Sequence, residues 1–199
     1  MKKYRNKYRI PSARASWWDY GRNAAYFVTI CTQNRECWFG EITDGVMGLS
    51  GIGHIANSCW YETPNHFPFV ELGAHIVMPN HVHGIIIINK PDDGRNDGHN
   101  DGRTVGTQNF VETQNIASLQ RPDTNKPKNQ FGPQSQNLAS IIRGFKTGVT
   151  KHARQINPDF TWQSRYHDHI IRDEKSYHNI TQYIINNPLK WQEDKFYKI

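Results

Sequence analysis

Two histidines separated by one residue, His81 and His83, begin an apolar run that ends at Ile88. Side chains two positions apart in a strand point to the same side, so both imidazoles could bind one metal ion. Backbone carbonyls or water could satisfy the same pair instead. The Met-Pro-Asn turn before the pair predicts a strand end, where functional residues are often exposed.

A tyrosine and an asparagine, Tyr183 and Asn187, lie four residues apart in the last amphipathic segment. In a helix, side chains at this spacing are neighbours. A phenol and an amide oxygen would then lie beside each other. The alternative is an ordinary boundary tyrosine followed by a helix C-cap. The spacing alone does not separate these two interpretations.

The segments around these residues alternate between strand and helix patterns. Strands are predicted at residues 25–33, 38–42, 69–77, 82–89 and 160–171, and the first four are expected to form two successive hairpins. Amphipathic helices are predicted at residues 50–65, from an Asn137 N-cap onward, and from an Asp173 N-cap to about Asn186. This order predicts an α+β fold, a ferredoxin-like palm in which an antiparallel sheet has helices packed on one face.

Between the strands and the last two helices lies a polar stretch, residues 90–136, with Asp-Gly repeats and many Asn, Gln and Thr residues. Such a composition buries too little apolar surface to offset its ordering entropy, so a flexible insert is predicted. The 199 residues suffice for one ordinary domain. We therefore expect a single domain over residues 1–199, interrupted by this insert.

The chain is basic, with a formal net charge of +6 and a pI near 9.2, which suits a polyanionic partner. A basic, aromatic N-terminal arm, residues 1–20, is predicted to contact nucleic acid, although it could also be a solvated leader. A second basic surface is expected on the helix that follows Asn137. The candidate DNA-binding residues are Arg14, Arg22, Arg143, Lys146, Lys151 and Arg154.

Four motifs follow one another along the chain: MPNHVHGIII, the GFK at Gly144–Lys146, RYHDHIIRDE and YIINNPLK. In this order they resemble the HUH transposases that use a single tyrosine. The branch associated with repeated extragenic palindromes is the most similar one. The resemblance covers residues 20–89 and 137–192, so the insert and the extreme N-terminus lie outside it.

The resemblance implies that His81 and His83 bind Mg²⁺ or Mn²⁺, that Tyr183 is the nucleophile, and that Asn187 completes the metal site. The wider family often has Gln at the last of these positions, so Asn187 is a shorter variant. The implied activity is that of a metal-dependent DNA transposase or nickase. It would cleave and rejoin single-stranded, hairpin-bearing DNA through a 5′-phosphotyrosine intermediate.

Two other functions remain open from the sequence. The chain could be a domesticated module that binds DNA without cleaving it, or a metal-dependent nuclease in which water attacks. Tyr166 and Tyr177 are alternative nucleophiles, although neither has an asparagine four residues later. His167 and His169 form a second same-side pair that could join the metal site or contact phosphate, and the resemblance assigns them no role.

The cysteines and the apolar runs of the sequence indicate where in the cell the protein is located. The three cysteines are odd in number and match neither a disulfide framework nor a zinc motif, which indicates a reducing compartment. No apolar run approaches a membrane span or a signal peptide. We expect a cytoplasmic protein of the bacterial cytosol or nucleoid. The resemblance favours a monomer over a dimer.

Overall fold

The computed structural model describes residues 18–91 and 135–197, together with the backbone of two short strands near the N-terminus. The strands are β1 (Lys3–Tyr4), β2 (Lys7–Tyr8), β3 (Ala24–Cys31), β4 (Gly40–Thr43), β5 (Val46–Leu49), β6 (Val70–Met78), β7 (His81–Ile88) and β8 (His167–Ile171). The helices are α1 (Gly51–Tyr61), α2 (Thr63–His66), α3 (Leu138–Ile156) and α4 (Glu174–Asn186), and a 3-10 helix follows at Pro188–Glu193.

The main sheet has four strands in the order β6-β7-β3-β8, and each neighbouring pair is antiparallel. The first strand of this sheet in the chain, β3, lies between the third and the fourth. Helices connect β3 to β6 and β7 to β8. This is the split βαβ arrangement of ferredoxin-like folds. The prediction of an α+β fold with a ferredoxin-like antiparallel sheet is therefore confirmed.

The two faces of the sheet carry different side chains because successive residues of a strand alternate between faces. On β3, Tyr26, Val28 and Ile30 belong to the larger core cluster, which α1 and α3 cover. Ala25 and Phe27 point the other way, into a second cluster that includes Ile184 of α4. Helices α1 and α3 thus share one face, as expected, and α4 lies against the opposite face.

The helices begin where the sequence predicts. Asn137 caps α3 by accepting a hydrogen bond from Ser140 N, and the Ser140 hydroxyl completes a capping box. Asp173 caps α4 in the same way by accepting from Ser176 N. The helix predicted at residues 50–65 consists of α1, capped by Ser50, and the separate short helix α2.

The hairpin predicted between residues 25–33 and 38–42 is wrong. β3 instead pairs with β7 and β8, and β4 pairs with β5 across Asp44 and Gly45. Both turn residues have positive φ, which fits the Asp-Gly signal of a tight hairpin. β3 takes the inner position because its side chains are apolar on both faces, which an edge strand would leave exposed. The second predicted hairpin, β6 with β7, is confirmed.

The strand predicted at residues 160–171 is shorter than expected. Only β8 pairs as a continuous strand, while Trp162 makes an isolated bridge with Thr32. Arg165, with φ 70, turns the chain between these two segments. A left-handed backbone conformation interrupts a strand, and a basic residue gives no sequence signal for it.

The predicted insert, residues 90–136, lies outside the described residues apart from its ends, as does most of the predicted arm. The single-domain interpretation of residues 1–199 therefore stays a prediction. In the two described ranges, no helix is long and apolar enough to cross a membrane.

Gly84 of β7 tests how tightly the sheet packs against α1. A Cβ atom at this position would overlap the indole of Trp60. We expect Gly84→Ala to lower the free energy of unfolding by about 2 kcal/mol, because the buried indole has no room to move away. Urea unfolding followed by circular dichroism would measure the loss.

Gly48→Ala in β5 is the matched control. The nearest atom to its new Cβ would be Glu41 O at 3.6 Å, which is ordinary contact. The stability of this variant should stay within about 0.5 kcal/mol of the parent. Equal losses in both variants would contradict the packing argument.

Candidate active site

The histidine pair lies at the start of β7, on the sheet face that α4 covers. In the antiparallel register His81 stands opposite Cys31 and His83 opposite Thr29. Both imidazoles are almost completely buried. Their ring centroids are 4.4 Å apart, so the strand period brings the two rings into contact. The predicted same-side arrangement of the pair is confirmed.

The turn before β7 orients the first of these rings. His81 Nδ1 lies 2.9 Å from Asn80 Oδ1. The amide of Asn80 is itself held by its Nδ2, which donates to the carbonyls of Arg35 and Phe196. Because Oδ1 can only accept, Nδ1 of His81 carries the proton and Nε2 carries the lone pair. That Nε2 atom is buried and has no hydrogen-bond partner among the described residues.

The second ring is held between a threonine and a tyrosine. His83 Nδ1 lies 2.9 Å from Thr29 Oγ1, and His83 Nε2 lies 3.3 Å from the hydroxyl of Tyr183. The ring of Phe27 meets the Tyr183 ring edge-on, with centroids 6.0 Å apart. Tyr183 remains 43% exposed, so its hydroxyl is at once beside an imidazole and open to a ligand.

An aspartate that the sequence analysis missed completes the cluster. Potential ligand atoms of His81, His83 and Asp194 all lie within 4.8 Å of one another. Asp194 follows the 3-10 helix after α4, where nothing in the sequence distinguishes it from its neighbour Glu193. Only the return of the C-terminal segment across the sheet brings its carboxylate to the imidazoles.

Asn187 lies at the end of α4. The sequence allows it to be a helix C-cap or a metal ligand, and its position fits both. It occupies the C-cap position, and its Nδ2 donates to Asp194 Oδ2 at 3.2 Å. Its Oδ1 is buried without a hydrogen-bond partner among the described residues. A buried amide oxygen and a buried imidazole nitrogen left unpaired are costly, so these two atoms fit a cation as their missing partner.

The electrostatics of the site suit a cation as well. Burial, followed by the neighbouring His83, holds the pKa of His81 well below its usual range. Burial, with Lys195 and His167 nearby, lowers the pKa of His83 to about 3. Both rings are therefore neutral at neutral pH, the form in which imidazole binds metal. Burial and the Asp194 carboxylate raise the pKa of the Tyr183 phenol, which keeps its proton.

Two cavities adjoin Tyr183. The larger, about 650 Å³, contains His83, Asn187 and Asp194 in its wall. The smaller, about 470 Å³, extends toward the start of α4. His167 lines both cavities and His169 lines the smaller one, opposite Thr29 and Phe27 of β3 respectively. The second histidine pair therefore faces the site without belonging to the cluster around His81.

A basic groove of about 660 Å³ runs along α3, and its cationic side chains come from α3 and the turn before β8. The cations are Arg143, Lys146, Lys151, Arg154 and Arg165. Arg165 was not predicted from the sequence. Tyr166 also lines this groove, and Tyr177 packs in the second core cluster, so neither alternative nucleophile lies beside the histidine pair.

Two of the predicted DNA-binding cations are engaged within the protein. Lys146 Nζ donates to the carbonyls of Gln163 and Arg165 at 2.8 and 2.6 Å, and burial lowers its pKa to about 8. Arg154 Nε donates to Phe160 O at 3.1 Å. Both side chains thus hold the segment that leads into β8. Arg143 and Lys151 are exposed in the groove.

The remaining two candidates are not brought to the histidine pair. Arg14 lies outside the described residues. Arg22 lies in the turn before β3, at the end of the sheet away from His83, which stands opposite Thr29. It is close to the start of α3, because the nearby Tyr20 carbonyl accepts a hydrogen bond from Leu138 N.

Comparison with known proteins agrees with this architecture. An uncharacterized protein of Haemophilus influenzae is 40% identical over 187 residues, 94% of this chain and 92% of that protein. A second protein of that organism, described as a "Putative REP-associated tyrosine transposase", is 27% identical over 172 residues, 86% of this chain and 74% of that protein. No family model matches the chain.

The fold is shared with a solved structure of a REP-associated tyrosine transposase bound to a REP hairpin. The TM-score is 0.53 at 19% identity, over 91% of this chain and 74% of that one. The chain thus resembles the REP-associated tyrosine transposases in sequence and shares the fold of one of them. The recognition of this family from the sequence motifs is confirmed.

Asn80 positions the site through hydrogen bonds, so its substitution should destabilise the site while both histidines are kept. Asn80→Ala removes the partner of His81 Nδ1 and both hydrogen bonds donated by the amide. We expect a loss of about 2 to 3 kcal/mol in unfolding free energy, because buried polar groups are left unpaired. Amide exchange of residues 194–197 should quicken, which mass spectrometry would detect.

Asn65→Ala provides the control for this substitution. The Asn65 side chain is exposed and donates a hydrogen bond to the Glu62 side chain. Its removal should change stability by less than about 0.5 kcal/mol and leave exchange at residues 194–197 as it is. Unchanged exchange in Asn80→Ala would show that Asn80 does not hold the C-terminal segment.

Proposed function

We propose that this transposase-family protein cleaves and rejoins single-stranded, hairpin-bearing DNA, with Tyr183 as nucleophile and a 5′-phosphotyrosine as intermediate. The observation that carries the proposal is the Tyr183 hydroxyl, 3.3 Å from Nε2 of a buried, neutral histidine. Beside it lie three further donor groups, those of His81, Asp194 and Asn187.

The proposed cleavage step exchanges one phosphate ester for another. The Tyr183 oxygen forms a bond to phosphorus and gives up its proton, while the bond from phosphorus to the 3′ oxygen breaks. The 3′ oxygen takes a proton, so the upstream strand ends in a 3′ hydroxyl. Because the phosphotyrosine keeps the energy of the phosphodiester bond, another 3′ hydroxyl can reverse the step and join strands.

A divalent cation fits the donor groups, and the candidate ligands are His81 Nε2, the His83 imidazole, an Asp194 oxygen and Asn187 Oδ1. When bound, such a cation would neutralise charge on the attacked phosphate. Carboxylate and amide oxygens suit Mg²⁺ and Mn²⁺, whereas imidazole suits softer transition metals. This mixed set of donors therefore favours Mn²⁺ over Mg²⁺.

For the DNA we propose a path from the basic groove on α3 to Tyr183. Arg165 and Tyr166 line the groove, and the next residue, His167, lines both cavities at the tyrosine. Exposed Arg143 and Lys151 suit the phosphates of a hairpin stem. Arg14 and Arg22 would extend this contact, and Lys146 and Arg154 would act mainly by holding the segment before β8.

The structural relative supports a hairpin as ligand, because it is bound to a REP hairpin. We therefore propose hairpin DNA from the flanks of the gene as substrate. The proposal also includes the bacterial cytosol or nucleoid as location and a monomer as the working form.

Tyr183→Phe tests the nucleophile. With Mn²⁺ and hairpin DNA, the wild-type protein should form a covalent adduct when the DNA is labelled at its 3′ end. DNA labelled at its 5′ end should give a shortened, protein-free fragment. The variant should lose both products by at least about a hundredfold, because it lacks the attacking oxygen. A denaturing gel resolves the products.

Tyr177→Phe and Tyr166→Phe are the controls, and both should keep the adduct. Free fragments from both labels that persist in Tyr183→Phe would indicate hydrolysis by water. Binding without any cleavage by the wild-type protein would indicate the domesticated module. Either result would contradict the proposed function.

Asp194→Asn tests the cation site. Loss of the carboxylate charge should weaken Mn²⁺ affinity by about tenfold or more, as measured by titration calorimetry or by the paramagnetic signal of free Mn²⁺. In the wild-type protein, Mn²⁺ should bind more tightly than Mg²⁺.

Glu193→Gln removes a carboxylate from the same cavity without touching the cluster around His81. Its Mn²⁺ affinity should match that of the wild-type protein. Equal weakening in the two variants would mean that general cavity charge, and not a ligand at Asp194, attracts the ion.

A further inference from the structure

Three carboxamide side chains surround the nucleophile on α4. Asn179 precedes Tyr183 by one helical turn, Gln182 is its neighbour, and Asn186 follows after three residues. Asn179 lines both cavities, and Gln182 and Asn186 line the larger one. The side of α4 that faces the cavities around Tyr183 thus presents amides.

These amides are available to a ligand. All three side chains are exposed, and none forms a hydrogen bond within residues 18–91 and 135–197. Asn187, by contrast, is buried and donates to Asp194. Hydrogen bonds within the described residues therefore do not explain why these three exposed amides lie in the cavity walls.

Charged groups occupy the two ends of the same surface. Lys175 lies in the smaller cavity near the start of α4, and Lys190 and Lys195 lie in the larger cavity beyond its end. Lysines suit the phosphates of a strand. Amides carry both a donor and an acceptor, the combination that matches the edges of nucleobases.

The dimensions match a short run of nucleotides. Asn179 and Asn186 are about 10 Å apart along the helix axis, at about 1.5 Å per residue. Stacked bases are spaced by about 3.4 Å, so this distance covers about three of them. Phe27 lines both cavities and adds an aromatic surface of the kind on which unpaired bases stack.

We propose that Asn179, Gln182 and Asn186 form a nucleobase subsite that reads the unpaired bases on either side of the cleaved phosphate. The inference rests on the proposed function for the position of that phosphate. It adds the source of sequence preference: α4 selects the bases, while the basic groove holds the stem. The simpler explanation, a solvated polar helix face, predicts no preference from these residues.

The test separates base selection from cleavage. Hairpin DNA with a randomised single-stranded flank is bound to the full chain carrying Tyr183→Phe, and bound and unbound DNA are sequenced. Asn179→Ala, Gln182→Ala and Asn186→Ala are each added to that chain. Each should flatten the preference at one or two flank positions by about tenfold, the effect of losing one base-edge contact. Affinity for the hairpin stem should stay within about threefold.

His178→Ala is the matched control, because His178 is exposed on α4 and lines neither cavity at Tyr183. Its base preference should equal that of the parent. Circular dichroism of each variant would show that α4 is intact.

Base profiles that stay unchanged in all three amide variants, or an absence of any preference in the parent, would overturn the subsite. A parallel assay of covalent adduct formation by the otherwise wild-type chain reports on the proposed function separately. Altered profiles without any adduct would support the subsite and contradict cleavage. An adduct with unaltered profiles would do the opposite.

Discussion

The antiparallel pairing of β3 with β7 is the constraint on which the rest of the site depends. It sets Thr29 opposite His83 and puts both histidines on the face that α4 covers. A shift of β7 by one residue would turn both imidazoles toward the larger, mainly apolar core cluster under α1 and α3. β3 is apolar on both faces and lies inside the sheet. Such a shift would therefore also move the β3 side chains away from the core contacts that they make in the observed register. The register that fills the core is therefore also the register that assembles the site.

Burial of the site removes polar atoms from water, and for some of them the protein supplies no hydrogen bond in return. His81 Nε2 and Asn187 Oδ1 are enclosed without partners among the described residues. Unpaired buried polar atoms destabilise a protein, so their presence at one place indicates a ligand and not a packing solution. The neutral state of both imidazoles follows from the same burial. The surroundings that cost stability thus keep the nitrogen lone pairs available.

The five cations that line the groove along α3 divide into two groups by what they contact. Lys146 and Arg154 donate to backbone carbonyls and so stabilise the turn that leads to β8. Arg143, Lys151 and Arg165 are exposed in the groove beside that turn. In the proposed path, a DNA strand held by the exposed group passes the edge strand β8 at His167 before it reaches Tyr183. Charge at the groove and amides at the tyrosine suit a ligand whose backbone is anionic and whose bases are polar.

Local patterns in the sequence determined the elements that carry the chemistry: the period of two at His81 and His83, the caps at Asn137 and Asp173, and the amphipathic pattern of α4. These depend on neighbours in the chain, and short-range sterics and hydrogen bonds decide them. Such patterns do not predict the position of β3 inside the sheet, and the sequence analysis does not include the Asp-Gly hairpin of β4 and β5. Asp194, the engagement of Lys146 and the open amides around Tyr183 were decided only by the tertiary structure. Each depends on segments far apart in the chain that come into contact only when the sheet and helices pack. Residue type and local spacing do not predict such contacts.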